Sequence, residues 1–301
     1  MNKKEYNCIL NVLKPPGMTS FDVVGYLRKL TKIKKIGHTG TLDPMAVGVL
    51  TICIGKATKL LEVLVDKDKV YKVEMKLGES TDTQDAEGCI IEEKSIDKID
   101  ENTIIKVLES FVGIYNQIPP MYSAIKINGK RLYELARKGI EIERKSRKIE
   151  IRKIDLININ KNIVKFDVEC SKGTYIRTLC HDIGEKLGCG AHMNFLLRTR
   201  SGKFRIEDSY TLQEIEDHIK NNNFDKIKYS MEECFSDSYK IILNANEEKK
   251  FINGEFINYY LEMNSKELKK IPVFNNENKL IGLGKFTSKN STVYLRPDKV
   301  I

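Results

Sequence analysis

Residues 37–48, GHTGTLDPMAVG, run straight into VGVLTICIG at 47–55. Three glycines and a proline keep the first stretch out of regular helix or strand. The second carries no charge and reads as a buried strand. The fold must therefore hold a tightly constrained loop at the end of a buried strand. Inside that loop stands one carboxylate, Asp43, whose following proline pushes it towards extended backbone. The flanking glycines let a second chain or a ligand approach closely. A carboxylate at such a place takes up a proton unless a cation pairs with it. The plain alternative is an Asp-Pro turn with a solvated side chain, and the loop alone does not choose.

The rest of the chain reads as alternating strands and helices. Cys8–Leu13 is strand-like, a Pro15-Pro16-Gly17 turn follows, and Ser20 is the expected N-cap of a helix facing inward with Val23, Val24, Leu27 and Leu30. KATKLLEVL reads as a helix or turn, and a helix is expected over about 101–111. Tyr71, Val73, Met75 and Leu77 alternate with Lys72, Glu74 and Lys76; Val164, Phe166, Val168 and Cys170 alternate with Lys165, Asp167 and Glu169. Both are half-buried strands by period. Asn128-Gly129 is a hairpin signal, followed by a short basic helix. From about 238 short strands are expected, with Asn253-Gly254 and a polar turn at 275–278, as in a separate small β domain.

Charge is unevenly placed. Between Lys126 and Lys153 eleven lysines and arginines face four glutamates, a surplus of seven in a chain of net charge +9. Such a patch attracts polyphosphate backbones, although an acidic protein partner or a solvated face fits the same charge. Seven cysteines, odd in number and without a C-x-x-C pair, argue for reduced thiols. Cys180, His181, Cys189 and His192 raise a zinc reading, but Cys180 lies on the helical stripe Ile176, Leu179, Cys180, Ile183, Leu187 and fits a core position. Gly55-Lys56 lacks the remaining P-loop residues, and the acids of TDTQDAEG lack calcium-loop spacing. No apolar run reaches membrane-spanning length and the N-terminus has no secretory pattern, so the cytoplasm is the expected location.

A second constellation sits in SKGTYIRTLCHDIGEKLGCGAH, where Tyr175 and Arg177 fall at a strand–helix junction. An arginine at the edge of an apolar stripe generally pairs with an acid. Tyr71, inward by alternation, offers a ring face on which an exposed base can stack. Each tyrosine taken singly is equally a core residue.

Together NVLKPPGMTSFDVV, KKIGHTGTLDPMAVGVL, YKVEMKLGESTDTQDAEG, QIPPMYSAIKINGKRLYELAR and SKGTYIRTL…LGCGAH closely resemble, in order from about residue 8 to 205, the bacterial tRNA pseudouridine-55 synthases of the TruB family. The tail from about 238 more weakly resembles a PUA-type RNA-binding domain. The resemblance implies an α+β fold, with a mixed, mainly antiparallel central sheet flanked by helices and a small β-rich C-terminal domain. It divides the chain into a catalytic domain over 1–235, with a basic RNA-docking insertion at about 118–148, and a PUA-like domain over 238–301. It implies isomerisation of one T-loop uridine of tRNA, with no metal or cofactor, no membrane and no obligatory protein partner. Carried over by motif, Asp43 is the catalytic carboxylate, with Tyr71, Tyr175 and Arg177 in the active site. His38 helps to displace the target base, Leu196 contacts it, and Lys14, Pro15 and Asp85 fall on supporting positions, Lys14 and Asp85 counted among the substrate contacts. Leu13, Met45, Val47 and Leu197 depart from the family pattern without touching that catalytic set.

Two further readings stand beside this one. The chain could be an RNA-binding or tRNA-folding protein with a vestigial pocket, or a guide-dependent relative acting on another RNA.

Overall fold

The computed structural model describes residues 6–127, 129–236, 238–259, 270–289 and 292–301. The chain opens with β1 (Cys8–Lys14), α1 (Ser20–Thr31), β2 (Ile36–His38) and β3 (Val47–Ile54). α2 (Leu61–Val65) leads to β4 (Lys69–Leu77), the ribbon β5 (Glu79–Thr81) with β6 (Ile90–Glu93), and α3 (Glu101–Glu109). Then come β7 (Gly113–Gln117), the small hairpin β8 (Lys126–Ile127) with β9 (Lys130–Arg131), and α4 (Leu132–Ala136). β10 (Arg147–Asn160) and β11 (Ile163–Cys170) precede α5 (Ile176–Leu187), β12 (Ala191–Ser201) and β13 (Phe204–Arg205). α6 (Leu212–Lys220) and β14 (Lys228–Tyr229) end the larger part. The remainder holds β15 (Ile241–Leu243), α7 (Ala245–Ile252), β16 (Ile257–Asn258), β17 (Ile271–Asn275), β18 (Leu280–Lys289) and β19 (Thr292–Val300).

The large sheet runs β14-β1-β3-β12-β4-β11-β10-β7, with β2 and β13 attached at β3 and β12. All these pairs are antiparallel except β12 with β3. The alternation legible in β4 and β11 is realised: Tyr71, Val73 and Met75 face inward opposite Val168, Phe166 and Val164. α5 covers this half of the sheet, with Ile176, Leu179, Cys180 and Ile183 in one core cluster with those strands. Burial pushes the Cys180 thiol up, as suits a core thiol. α1 and α6 cover the other half, packing Val23, Val24, Leu27 and Ile215 against β1 and β3. β3 is buried from Gly48 to Ile54. Gly48 is required there: its φ is +115°, and a Cβ would lie 2.2 Å from the Arg198 carbonyl oxygen of β12. The close approach that the loop glycines suggested is thus made by a neighbouring strand.

The C-terminal strands form their own sheet, β15-β17-β18-β19-β16. It is docked on the larger part, because Phe274, Leu280 and Leu283 share a core cluster with Ile9, Val49 and Cys53. Two local expectations change, and a third is only partly described. α1 is capped by Thr19, not Ser20, because Asp22 stands at the third helical position and closes a reciprocal box with Thr19. The tail contains a helix, α7, started by the Asn244–Glu247 box, and Asn253-Gly254 ends it. Asn128, half of the expected hairpin turn, lies outside the described residues; the flanking β8–β9 pair is present. No helix among the described residues is long and apolar enough to cross a membrane.

Candidate active site

A cavity of about 270 Å³ opens where the 39–43 loop, β4, β12 and the start of α5 converge. Asp43, Tyr71, Tyr175, Arg177 and Leu196 all line it, together with Lys69, Ser123, Lys172 and Arg198. Four elements distant in sequence are needed because the sheet inserts β12 between β3, which follows the loop, and β4, which carries Tyr71.

Arg177 organises the centre. It is 5% exposed, in the first turn of α5. Its Nε donates to Asp43 Oδ2 at 3.0 Å and its Nη2 to Asp43 Oδ1 at 3.3 Å. The same guanidinium donates to the carbonyls of Tyr122 at 2.8 Å and Thr83 at 3.1 Å, and lies 3.5 Å from Asp85 Oδ2. Asp43 is therefore not the lone acid that the loop suggested; the arginine serves two carboxylates. The Asp43 side chain keeps 33% exposure, towards the cavity. Surrounding protein pushes its carboxyl above the usual carboxylate range, Arg177 being the chief opposing influence and Asp85 adding to the rise.

The two tyrosines are held differently. Tyr71 is 7% exposed, and burial raises its phenol against the pull of Arg198. Tyr175 is half-buried, and burial raises it while the Ser123 hydroxyl opposes. Its backbone is clamped by the Gln117 amide: Tyr175 N donates to Oε1 at 2.8 Å, and Nε2 donates to Tyr175 O at 3.0 Å. Leu196, 5% exposed, supplies the apolar wall.

Three expected contacts fall outside the cavity lining. Lys14 is fully buried beneath the loop, where its ammonium donates to the carbonyls of Pro15, Met18 and Pro44. Burial brings it down to about 8. It braces the loop from beneath and is not part of the cavity lining. Asp85 is likewise behind Arg177, taking hydrogen bonds from Thr83 Oγ1 at 2.6 Å and Glu87 N at 3.1 Å. It orients the arginine from behind. His38, at the end of β2, is half-buried and accepts from Gly40 N at 3.3 Å; burial lowers its basicity.

Sequence reasoning missed Lys69 and Arg198. Burial lowers Lys69 to about 8, and its acceptors are the Val65 and Lys67 carbonyls. Arg198, 2% exposed, donates to the carbonyls of Val49 at 2.7 Å and Gly40 at 3.1 Å, bracing the loop from the β12 side. The alternation could have found both, since each is two residues from a cavity residue on its own strand, Tyr71 or Leu196. With Lys172 and Arg177 they give the cavity four cations against the single carboxylate of Asp43, a balance suited to a phosphate-bearing ligand.

The basic segment adjoins this site. Ser123 and Ala124 form part of the cavity wall. Tyr133 N donates to the Ser123 carbonyl at 3.1 Å, and buried Leu132 anchors α4. Lys130, Arg131, Arg137 and Lys138 project into solvent beside it. Among the described residues no group of three His, Cys, Asp or Glu could hold a metal ion.

Comparison with known proteins gives a consistent family. A model described as TruB family pseudouridylate synthase (N terminal domain) matches residues 28–176, and one described as tRNA pseudouridylate synthase B C-terminal domain matches 177–235. The chain is 47% identical over 299 residues to a tRNA pseudouridine synthase B of Clostridioides difficile, covering 98% of this chain and 99% of that one. It is 46% identical over 93% of its length to the protein of that name from Clostridium acetobutylicum, covering 96% of the latter. A solved Cbf5-Nop10-Gar1 complex aligns with 98% of this chain and 84% of its own at TM-score 0.78 and 28% identity. An H/ACA RNP bound to a substrate RNA containing 2'-deoxyuridine aligns with 98% of this chain and 84% of its own at TM-score 0.73 and 25% identity.

Proposed function

This chain belongs to the TruB family of pseudouridylate synthases, and from that premise we propose that it isomerises the T-loop uridine at position 55 of tRNA, with Asp43 as its catalytic carboxylate. It is an isomerase that forms pseudouridine in tRNA. The reaction breaks the bond from N1 to the ribose, turns the base and rejoins it through C5; the C5 proton is lost and N1 gains one. The base cannot turn while stacked, so it is flipped out of the loop at a cost of about a few kcal/mol.

The observation that carries the assignment to Asp43 is the two-point contact with Arg177 at the cavity, at 3.0 and 3.3 Å. It supports an ionised carboxylate in a place where burial alone would favour its protonation. Asp43 supplies the anionic group that the displacement at the sugar–base bond needs. Tyr71 offers a ring to the flipped base, Leu196 an apolar wall, and Tyr175 a hydroxyl for proton handling. Lys69, Lys172 and Arg198 favour the phosphates of the flipped nucleotide. His38, at the loop's entrance, helps to displace the base.

The exposed cations of the 118–148 insertion dock the T-arm, and the 238–301 part adds a PUA-like RNA surface. No protein partner is required in this reading. The test is a bare T-arm stem-loop assayed for pseudouridine by mass spectrometry. The parent protein is expected to act on it, and Asp43→Asn to bind it with about the parent affinity yet form no product. Substantial turnover by Asp43→Asn would remove Asp43 from its role. Binding without product by the parent would favour an RNA-folding protein or a guide-dependent enzyme.

A further inference from the structure

We infer that Ser20 is a positioning residue for the reaction, holding the backbone next to Asp43 through its side-chain hydroxyl. The inference rests on the catalytic role of Asp43 proposed above. Because Thr19 and Asp22 cap α1 by themselves, Ser20 is the first helical residue and its side chain is released from capping. Its Oγ accepts from Leu42 N at 2.8 Å and donates to Leu42 O at 3.1 Å. One hydroxyl thus serves both backbone polar groups of the residue before Asp43. Ser20 is 1% exposed and Leu42 3%, so bulk water does not stand ready to replace it.

The loop around this contact is fastened at nearly every carbonyl. Arg198 takes Gly40 O at 3.1 Å, and Lys14 and the Gly17 N–H take Pro44 O at 3.1 and 2.9 Å. The Asp43 carbonyl accepts from Ala46 N at 3.1 Å. On the Leu42 side Ser20 is the tether, and it hangs from a capped helix twenty-two residues away in sequence. Removing the hydroxyl leaves a buried N–H and a buried C=O without partners. They can be satisfied again only by a shift of the segment that carries the carboxylate. Misplacement of a reacting group by about 1 Å costs on the order of a hundredfold in rate.

Ser20→Ala is therefore expected to lower the single-turnover rate of pseudouridine formation about a hundredfold, with tRNA affinity within about twofold of the parent. Ser20→Thr, which keeps the hydroxyl, is expected to restore most of the rate. A loosened loop also loosens the Asp43–Arg177 contact, so the acid limb of the rate–pH profile should move to higher pH in Ser20→Ala, which a plain loss of stability would not produce. If Ser20→Ala does not fold, Ser20→Cys takes its place, its thiol being a weaker donor and acceptor, with an intermediate loss expected. An alanine variant at the parent rate, a loss shared equally by binding, or a loss that threonine does not restore overturns the inference. Asp43→Asn measured alongside separates the two readings: if it stays inactive while Ser20→Ala is fast, only the role of Ser20 falls.

Discussion

Replacing Arg177 by lysine tests the centre of the site without removing its charge. The guanidinium fork meets both Asp43 oxygens, while two of its remaining contacts go to the Tyr122 and Thr83 carbonyls. An ammonium is a single point with a different reach and can keep one carboxylate contact. Losing the other charge-assisted hydrogen bond costs about 1.5–3 kcal/mol. Losing the carbonyl anchors lets the pair rotate, and misorientation adds up to about a hundredfold, near 2.7 kcal/mol. Asp43 keeps 33% exposure, so water screens part of this and the low end of the sum applies, about 4 kcal/mol or roughly a thousandfold in rate. The assay is tritium release from tRNA labelled at uridine C5, under single-turnover conditions, with affinity from filter binding. Affinity should stay within about threefold, since Arg177 is 5% exposed and faces protein on most sides. A lysine variant within tenfold of the parent rate, or one that loses only affinity, would refute the reasoning.

Two other outcomes follow from the same geometry. Burial leaves the Asp43 carboxyl above its ordinary value, so the rate should fall as pH drops through a range higher than the ~3.9 of a free aspartate. The sign for stability is opposite: an acid whose folded pKa is raised binds its proton more readily in the folded state, so this group adds stability as pH falls through that range. The melting midpoint of the parent relative to Asp43→Asn, measured beside the rate from pH 4.5 to 8, should therefore shift in the parent's favour as pH falls while the parent's rate declines, and a difference that moves the other way would contradict the assignment. Neutralising the exposed Lys130, Arg131, Arg137 and Lys138 should weaken tRNA binding and flatten its logarithmic salt dependence by up to about one unit per lost phosphate contact; an unchanged slope would take the segment out of the interface.

What could be read beforehand was whatever repeats with the period of its own element. β4 and β11 were legible because each alternates cleanly and is buried on one face. The stripe of α5 fixed Cys180 in the core and left Arg177 at its edge, where the structure finds it against two acids. Cations were misjudged because charge normally signals solvent: Lys14, Lys69 and Arg198 are buried, and backbone carbonyls supply their acceptors, near in sequence for Lys69 and far away for Arg198. The cap of α1 was misplaced by one residue because Thr19 and Ser20 are equally good caps, and only the reach to Asp22 decides between them. α7 was hidden by its length, since one fully buried side chain, Phe251, makes no stripe.

The position of β12 bears on how such a protein is made. Residues 191–201 form the seam between β3 and β4, parallel to one and antiparallel to the other. A nascent chain that ends before this strand holds two unpaired edges and lacks Leu196 and Arg198 from the cavity wall. The halves on either side can each begin to collapse on the ribosome. They become one cleft only when the seam has emerged and slid between them, a non-local closure that comes late in synthesis.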